Sequence, residues 1–188
     1  MVVDDDNGHK AEEIPTIRPC EASDVHDILR IINAAAVVYK GVIPVDRWHE
    51  PYMPLDELHA EIAAGVRFTG YELGGTLIGI MGIQPVLNVR LIRHAYVLPK
   101  SQGSGVGSKL INNLLQSDHL ITLIGTWAAA NWAIRFYERH GFSLVSDSAI
   151  APLLQTYWDV PARQIETSVV LSSRPLSSSD AARLIANG

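Results

Sequence analysis

Residues 92–110 read Ile92-Arg93-His94-Ala95-Tyr96-Val97-Leu98-Pro99-Lys100-Ser101-Gln102-Gly103-Ser104-Gly105-Val106-Gly107-Ser108-Lys109-Leu110, and the chain is organised around them. The first part is an apolar, β-branched run that reads as a strand, and Pro99 ends it. The glycines then make a tight turn, and Ser108-Lys109-Leu110-Ile111 opens a helical pattern. A strand feeding a glycine-rich turn at a helix N-terminus suits a phosphate. Backbone amides can approach the anion, and the helix dipole points at it. A plain connection can carry the same glycines, so spacing has to decide.

The nucleoside-triphosphate loop requires G-x-x-x-x-G-K-[ST], but Gly103 and Gly107 are too close and Ser108 stands where lysine should. The dinucleotide fingerprint G-x-G-x-x-G starts at Gly103 and Gly105 but fails at Ser108, and no acidic residue ends a strand about twenty positions later. What remains is Gln102-x-x-Gly105-x-Gly107 after a strand. A second motif follows 24 residues after Gly107: Asn131-Trp132-Ala133-Ile134-Arg135-Phe136-Tyr137-Glu138-Arg139-His140-Gly141-Phe142.

The flanking sequence supplies the other elements. Ile14–Arg18 is a short strand. Ser23-Asp24 caps a helix whose apolar positions Val25, Ile28, Leu29, Ile31, Ile32 and Ala35 follow the helical period. Residues 39–54 hold three prolines, Gly41 and the aromatics Tyr39, Trp48 and Tyr52, so they form either a connection or a substrate-facing loop. A helix resumes at 55–62. Two strands, 66–73 and 76–84, join through Gly74-Gly75, a hairpin signal. The second is nearly all apolar and belongs at the centre of a sheet. Further strands are expected at 120–127, 142–145 and 164–171, a helix at 128–140, and a short helix or loop at 148–158. Residues 1–13 read as a disordered arm. Residues 172–188 read as a Ser-rich tail, with a short helix after a cap at Asp180.

Bulk properties bound the class. The 188 residues suffice for one domain with a real core, and 20 acidic against 15 basic residues give a net charge of −5. No basic stripe suggests nucleic acid, and no apolar run approaches membrane-spanning length. The single cysteine, Cys20, rules out an internal disulfide framework and points to a reducing compartment. The expectation is a cytoplasmic protein without membrane or nucleic-acid partners.

The two motifs, in this order, resemble the GNAT superfamily of acyl-CoA N-acyltransferases over residues 14–171. Arg18, Pro19 and Asp24 also look like its phosphinothricin-acetyltransferase-like branch. The resemblance implies an α+β (mixed α/β) fold: a mostly antiparallel twisted sheet of about seven strands, flanked by helices and splayed around the acyl-CoA site. It implies acetyl-CoA as co-substrate and no metal. Residues Tyr96, Val97, Gln102, Gly103, Ser104, Gly105, Val106, Gly107, Ser108 and Asn131 are then expected to hold the cofactor, Asn131 being an ordinary helix N-cap on a purely structural reading. Tyr137, late in its helix, would protonate the leaving sulfur, or else be a core tyrosine. Trp132, Phe136 and Phe142 read as packing residues.

The family varies its general base. His94, Glu72, His49 and Glu50 are candidates, with His94 best placed, within three residues of Val97 and of suitable intrinsic pKa; a structurally satisfied histidine is the other reading. Trp48, Glu50 and Trp158 are expected at the acceptor side, with Arg163 a further specificity candidate. The implied activity is acetyl transfer to a primary amine of a small molecule or amino acid, in a ternary complex. Alternatives are a protein N-terminus or lysine as acceptor, a catalytically silent acyl-CoA-binding module, and a nucleotide-binding α/β protein, which the spacings oppose. Many relatives dimerise, so a homodimer is an expectation too.

Overall fold

A computed structural model describes residues 14–116 and 120–188; the arm expected over 1–13 lies outside the described residues. Seven strands form one sheet: β1 (Thr16–Pro19), β2 (Arg67–Leu73), β3 (Thr76–Val86), β4 (Val89–Val97), β5 (Ile121–Trp127), β6 (Ser143–Leu144) and β7 (Ser168–Ser172). Their order is β1-β2-β3-β4-β5-β7-β6, and every pair is antiparallel except β4 with β5. The helices are α1 (Val25–Ala36), α2 (Leu55–Ala63), α3 (Val106–Leu115), α4 (Asn131–Glu138), α5 (Asp147–Tyr157), the single turn α6 (Ala162–Ile165) and α7 (Ser178–Ala186).

Local chemistry accounts for these elements. Gly74 and Gly75 take φ of 57° and 73°, the left-handed pair that a two-residue hairpin needs. In β3, Leu77 through Met81, glycine included, is buried, as its central place requires. Along α1, Ile28, Ile31 and Ile32 bury one face in the main core, and Ala35 is buried as well. A second core forms on α5, where Leu153, Leu154 and Tyr157 meet Ala181, Leu184 and Ile185 of α7.

Three boundaries depart from the sequence expectation. Pro161 starts a helical turn over 162–165, so the last strand begins at Ser168 rather than 164. Residues 147–157 form a full helix. The cap of α7 is Ser177, whose Oγ accepts from the Asp180 amide at 3.1 Å while Asp180 accepts from the Ser177 amide at 3.1 Å. Asp180 is thus the third residue of a reciprocal cap and not the cap itself.

What opens the site is a change of partner along β4. Residues Val89–Ile92 pair with Ile121–Ile124, but beyond them β4 pairs only with β3, while β5 continues against β7. The divergence coincides with a bulge. Gly82 faces Arg93 and Ile80 faces Tyr96, so His94 and Ala95 share the place opposite Met81. His94 sits at φ 54°, and a Cβ on Gly82 would stand 2.8 Å from the Arg93 carbonyl oxygen. Glycine at 82 therefore gives the bulge its room, and the bulge turns β4 away from β5.

Arg18 and Asp24 hold the sheet edge to the start of α1. The guanidinium donates to both Asp24 oxygens, at 2.7 and 3.0 Å, and its Nε donates to Glu72 at 2.8 Å. These bonds hold the Asp24 carboxyl below its usual 3.8 despite burial. A depressed carboxylate adds stability above its unfolded pKa and loses it as pH falls through the folded one. Asp24→Asn is expected to cost about 1–2 kcal/mol in urea unfolding at pH 7, the scale of a charged hydrogen-bonded partner. As pH falls below the usual 3.8 and through the lowered folded pKa the gap should close, because the wild-type carboxyl is then protonated as well. A gap independent of pH would show that the charge is not what matters.

Candidate active site

Between the diverging ends of β4 and β5 lies a cavity of about 660 Å³. Arg93–Val97 of β4 and Gly125–Trp127 of β5 form its two sides, the glycine loop one end, and α4 part of its wall.

The loop is shaped for an anion. Gly103 and Gly105 take φ of 78° and 83°, and Gly105 is the left-handed residue from which α3 starts. The first helical bond runs from the Lys109 amide to the Gly105 carbonyl at 3.0 Å. Among the described residues, the six amides from Gly103 to Ser108 make no hydrogen bond. Six successive free donors at the positive end of a ten-residue helix form a phosphate cradle. Gln102 closes the turn, its Nε2 donating to the Val97 carbonyl at 3.1 Å, and Ser104 Oγ donates to the Ser101 carbonyl at 2.7 Å. A Cβ at Gly107 would lie 3.3 Å from the Phe136 ring, so the small residue lets α3 and α4 approach beside the cavity.

α4 brings Tyr137 to the same space. Its amide-end residue is Asn131, exposed; Ala130 holds the N-cap position, so Asn131 is the first helical residue. The Phe142 amide bonds back to the Tyr137 carbonyl at 3.2 Å across Gly141, at φ 85°. That ending packs Phe142 against Tyr137, ring centroids 5.9 Å apart. Burial, then the nearby Tyr39 phenol, pushes the Tyr137 hydroxyl well above its usual 10. It is a neutral donor throughout the physiological range. Trp132, expected to be a packing residue, is 40% exposed and lines the cavity instead.

Of the four base candidates, only His94 lines the cavity. Glu72 is taken by Arg18, His49 Nδ1 lies 2.7 Å from the Pro51 carbonyl oxygen, and Glu50 accepts from Lys40 at 2.5 Å and from Trp48 at 3.2 Å. The bulge sends the His94 Nε2 toward α2, 3.3 Å from Glu61 Oε2. Both atoms are buried, and neither has a well-aligned hydrogen bond among the described residues. The other Glu61 oxygen accepts from Arg93, which also donates to Gln84 at 2.9 Å. Burial raises the Glu61 carboxyl, but His94 and Arg93 outweigh it and leave it below its usual 4.5. Glu61 is a functional candidate that sequence spacing missed: it lies 33 positions from His94, and only the bulge joins them.

Aromatic side chains fill the remaining wall. Tyr39 is their hub, with ring centroids 6.0 Å from Tyr52, 6.5 Å from Tyr96 and 5.5 Å from Trp132. Trp158 lies against β5, where a Cβ on Gly125 would stand 3.3 Å from the indole. Trp48 packs behind, 5.5 Å from Tyr52, and neither it nor Glu50 reaches the cavity lining. Arg163 is engaged outside the cavity with Glu166 and Asp46. Cys20 is half-buried, with its thiol pushed up to about 12 by burial, the opposite of a nucleophile's setting. Among the described residues there is no metal-binding cluster, and no helix is long and apolar enough to cross a membrane.

Residues 64–144 match the family model described as an acetyltransferase (GNAT) domain. No curated protein matches the sequence. Among solved structures, the chain is similar to the PaiA N-acetyltransferase of Thermoplasma acidophilum in complex with coenzyme A, with 15% identity and a TM-score of 0.63; the match covers 86% of this chain and 99% of that one. It is also similar to the ribosomal-protein-S18-alanine N-acetyltransferase of Escherichia coli, with 16% identity, a TM-score of 0.59, and 87% and 95% covered. The protein yncA of Salmonella typhimurium with its cofactor acetyl-CoA matches at 24% identity and a TM-score of 0.54, over 70% of this chain and 80% of that one. At these identities the structures establish the shared fold. The matched stretch lies within the fold that these structures share and contains the amide cradle, and together they support an acyl-CoA N-acyltransferase.

Proposed function

We propose that this protein transfers an acetyl group from acetyl-CoA to a primary amine of a small molecule, with both substrates bound at once. The observation that carries the reading is the meeting, in one cavity, of five residues of the free-amide run, a buried neutral phenol and an imidazole. The amides of residues 103–108 hold the pyrophosphate, and the unpaired side of β4 up to Val97 lies along the pantetheine arm. The amine nitrogen attacks the thioester carbonyl carbon, the C–N bond forms, and the C–S bond breaks. Tyr137 gives its proton to the leaving sulfur. His94 takes the proton from the amine, since the other titratable lining residues are tyrosines and arginines. Glu61 fixes the imidazole by its Nε2, which leaves Nδ1 for the cavity.

A small acceptor suits a cavity of about 660 Å³ that the donor's acyl arm must share. Placement in the phosphinothricin-acetyltransferase-like branch rests on Arg18, Pro19 and Asp24, two of which the fold uses as an ion pair. The test is coenzyme A release from acetyl-CoA across an amine panel, repeated with His94→Gln. His94→Gln is expected to lower kcat/KM about tenfold, within the range of acid–base catalysis, and to leave the acetyl-CoA KM within about twofold. An unchanged kcat/KM would remove His94 from the mechanism.

A further inference from the structure

Much of the cavity wall is aromatic, and none of it carries a carboxylate. Tyr39, Tyr52, Tyr96 and Trp132 are linked to one another through Tyr39, and Trp158 stands on β5. Among the described residues, no Asp or Glu lines the cavity. Of the acids just behind the wall, Glu61 is spent on Arg93 and His94, and Glu57 lies behind Tyr52, outside the lining. The two lining cations are not placed for an acceptor's carboxylate either. Arg93 uses both terminal nitrogens, on Gln84 and Glu61. Arg139 lies one turn beyond Phe136, whose ring rests against Gly107 at the phosphate end.

We propose that the acceptor is a primary monoamine with an aromatic or apolar body and no second charge, in chemical class an arylalkylamine; this rests on the acetyl-transfer reading. A second ammonium would be desolvated with no carboxylate in the lining, and an α-carboxylate would find a free cation only at the phosphate end, where Arg139 lies. An aryl body gains ring contact with Tyr39, Trp132 and Trp158. The single ammonium can enter over the ring faces, and the low-polarity wall favours its neutral form, the form that attacks. The phenols of Tyr52 and Tyr96, kept protonated by burial, can hold that nitrogen without adding charge. The step balances as before: C–N forms, C–S breaks, the amine proton goes to His94, and sulfur takes the Tyr137 proton.

The experiment compares kcat/KM for phenethylamine and tryptamine with spermidine, phenylalanine and glutamate at saturating acetyl-CoA, by coenzyme A release. The arylalkylamines should lead by at least tenfold. Trp132→Ala, at a position already 40% exposed, should raise the phenethylamine KM at least fivefold and move the acetyl-CoA KM less than twofold. Preference for spermidine or an amino acid, with coenzyme A still released, overturns the acceptor class and leaves acetyl transfer standing. A KM for phenethylamine unmoved in Trp132→Ala overturns the role of that wall. No release with any amine, from protein that binds acetyl-CoA, overturns both readings.

Discussion

Replacing Gly105 by valine is expected to weaken coenzyme A binding about 100-fold, or about 2.7 kcal/mol. Nothing lies within 4 Å of a Cβ built there, so the effect is torsional rather than steric. Residue 105 sits at φ 83° and ψ 1°, a conformation that costs an L-residue about 1–2 kcal/mol and a β-branched one more. If the loop relaxes out of it, the amides on either side turn and stop converging on one anion. If it holds, the strain appears as lower stability. Calorimetric titration with coenzyme A separates the two outcomes from global unfolding. Gly65→Val is the control: Gly65 has φ 99°, also with nothing within 4 Å, and lies outside the cavity lining. It should lower Tm comparably and leave coenzyme A affinity within twofold. Equal affinities in Gly105→Val and wild type would mean that the cradle does not hold the phosphates.

Tyr137→Phe is expected to lower kcat about 100-fold, in the middle of the range for a lost general acid. The ring's contacts with Phe136, at 5.2 Å, and Phe142, at 5.9 Å, survive the substitution, so acetyl-CoA affinity should stay within twofold. Because burial holds the phenol above its usual 10, it remains protonated across the working range. The deficit should therefore be constant from about pH 6 to 9. Stopped-flow release of coenzyme A under single-turnover conditions measures the chemical step alone. A variant as fast as wild type would make Tyr137 a core residue and nothing more.

These two positions were legible because their signals are local. A glycine loop after a strand and a helix ending at Gly141-Phe142 are each written in consecutive residues, and spacing between them tests the pairing. The β2–β3 hairpin and the central place of β3 were legible for a similar reason, since Gly74-Gly75 and the apolar run fix them directly. Glu61 was not, because its partnership with His94 depends on the extra residue in β4, and register leaves no mark in one strand's sequence. The hub at Tyr39 likewise gathers side chains from α1's end, the 39–54 loop, β4 and α4. Trp132 followed a helical period and read as core, but a residue on an inward face is exposed when that face borders a cavity. The turn at 162–165 was hidden by the alternation of Gln164-Ile165-Glu166-Thr167, which fits a strand until Pro161 is recognised as a helix start.

The partner change in β4 also makes the sheet mechanically uneven. Strands β1–β4 form one antiparallel block and β5–β7 another, and within the sheet they are joined by four parallel residue pairs, 89–92 with 121–124. Beyond that short seam the two blocks part, and the opening between them is the cavity. Amides of the seam should be among the last in the sheet to exchange with solvent, and those at the open ends of β4 and β5 among the first. An acyl arm laid along the open edge of β4 would take up hydrogen-bonding groups that the sheet leaves unpaired, so binding the donor stiffens the joint between the two blocks. The opening that the seam leaves between the two blocks is the one a bound donor would splint.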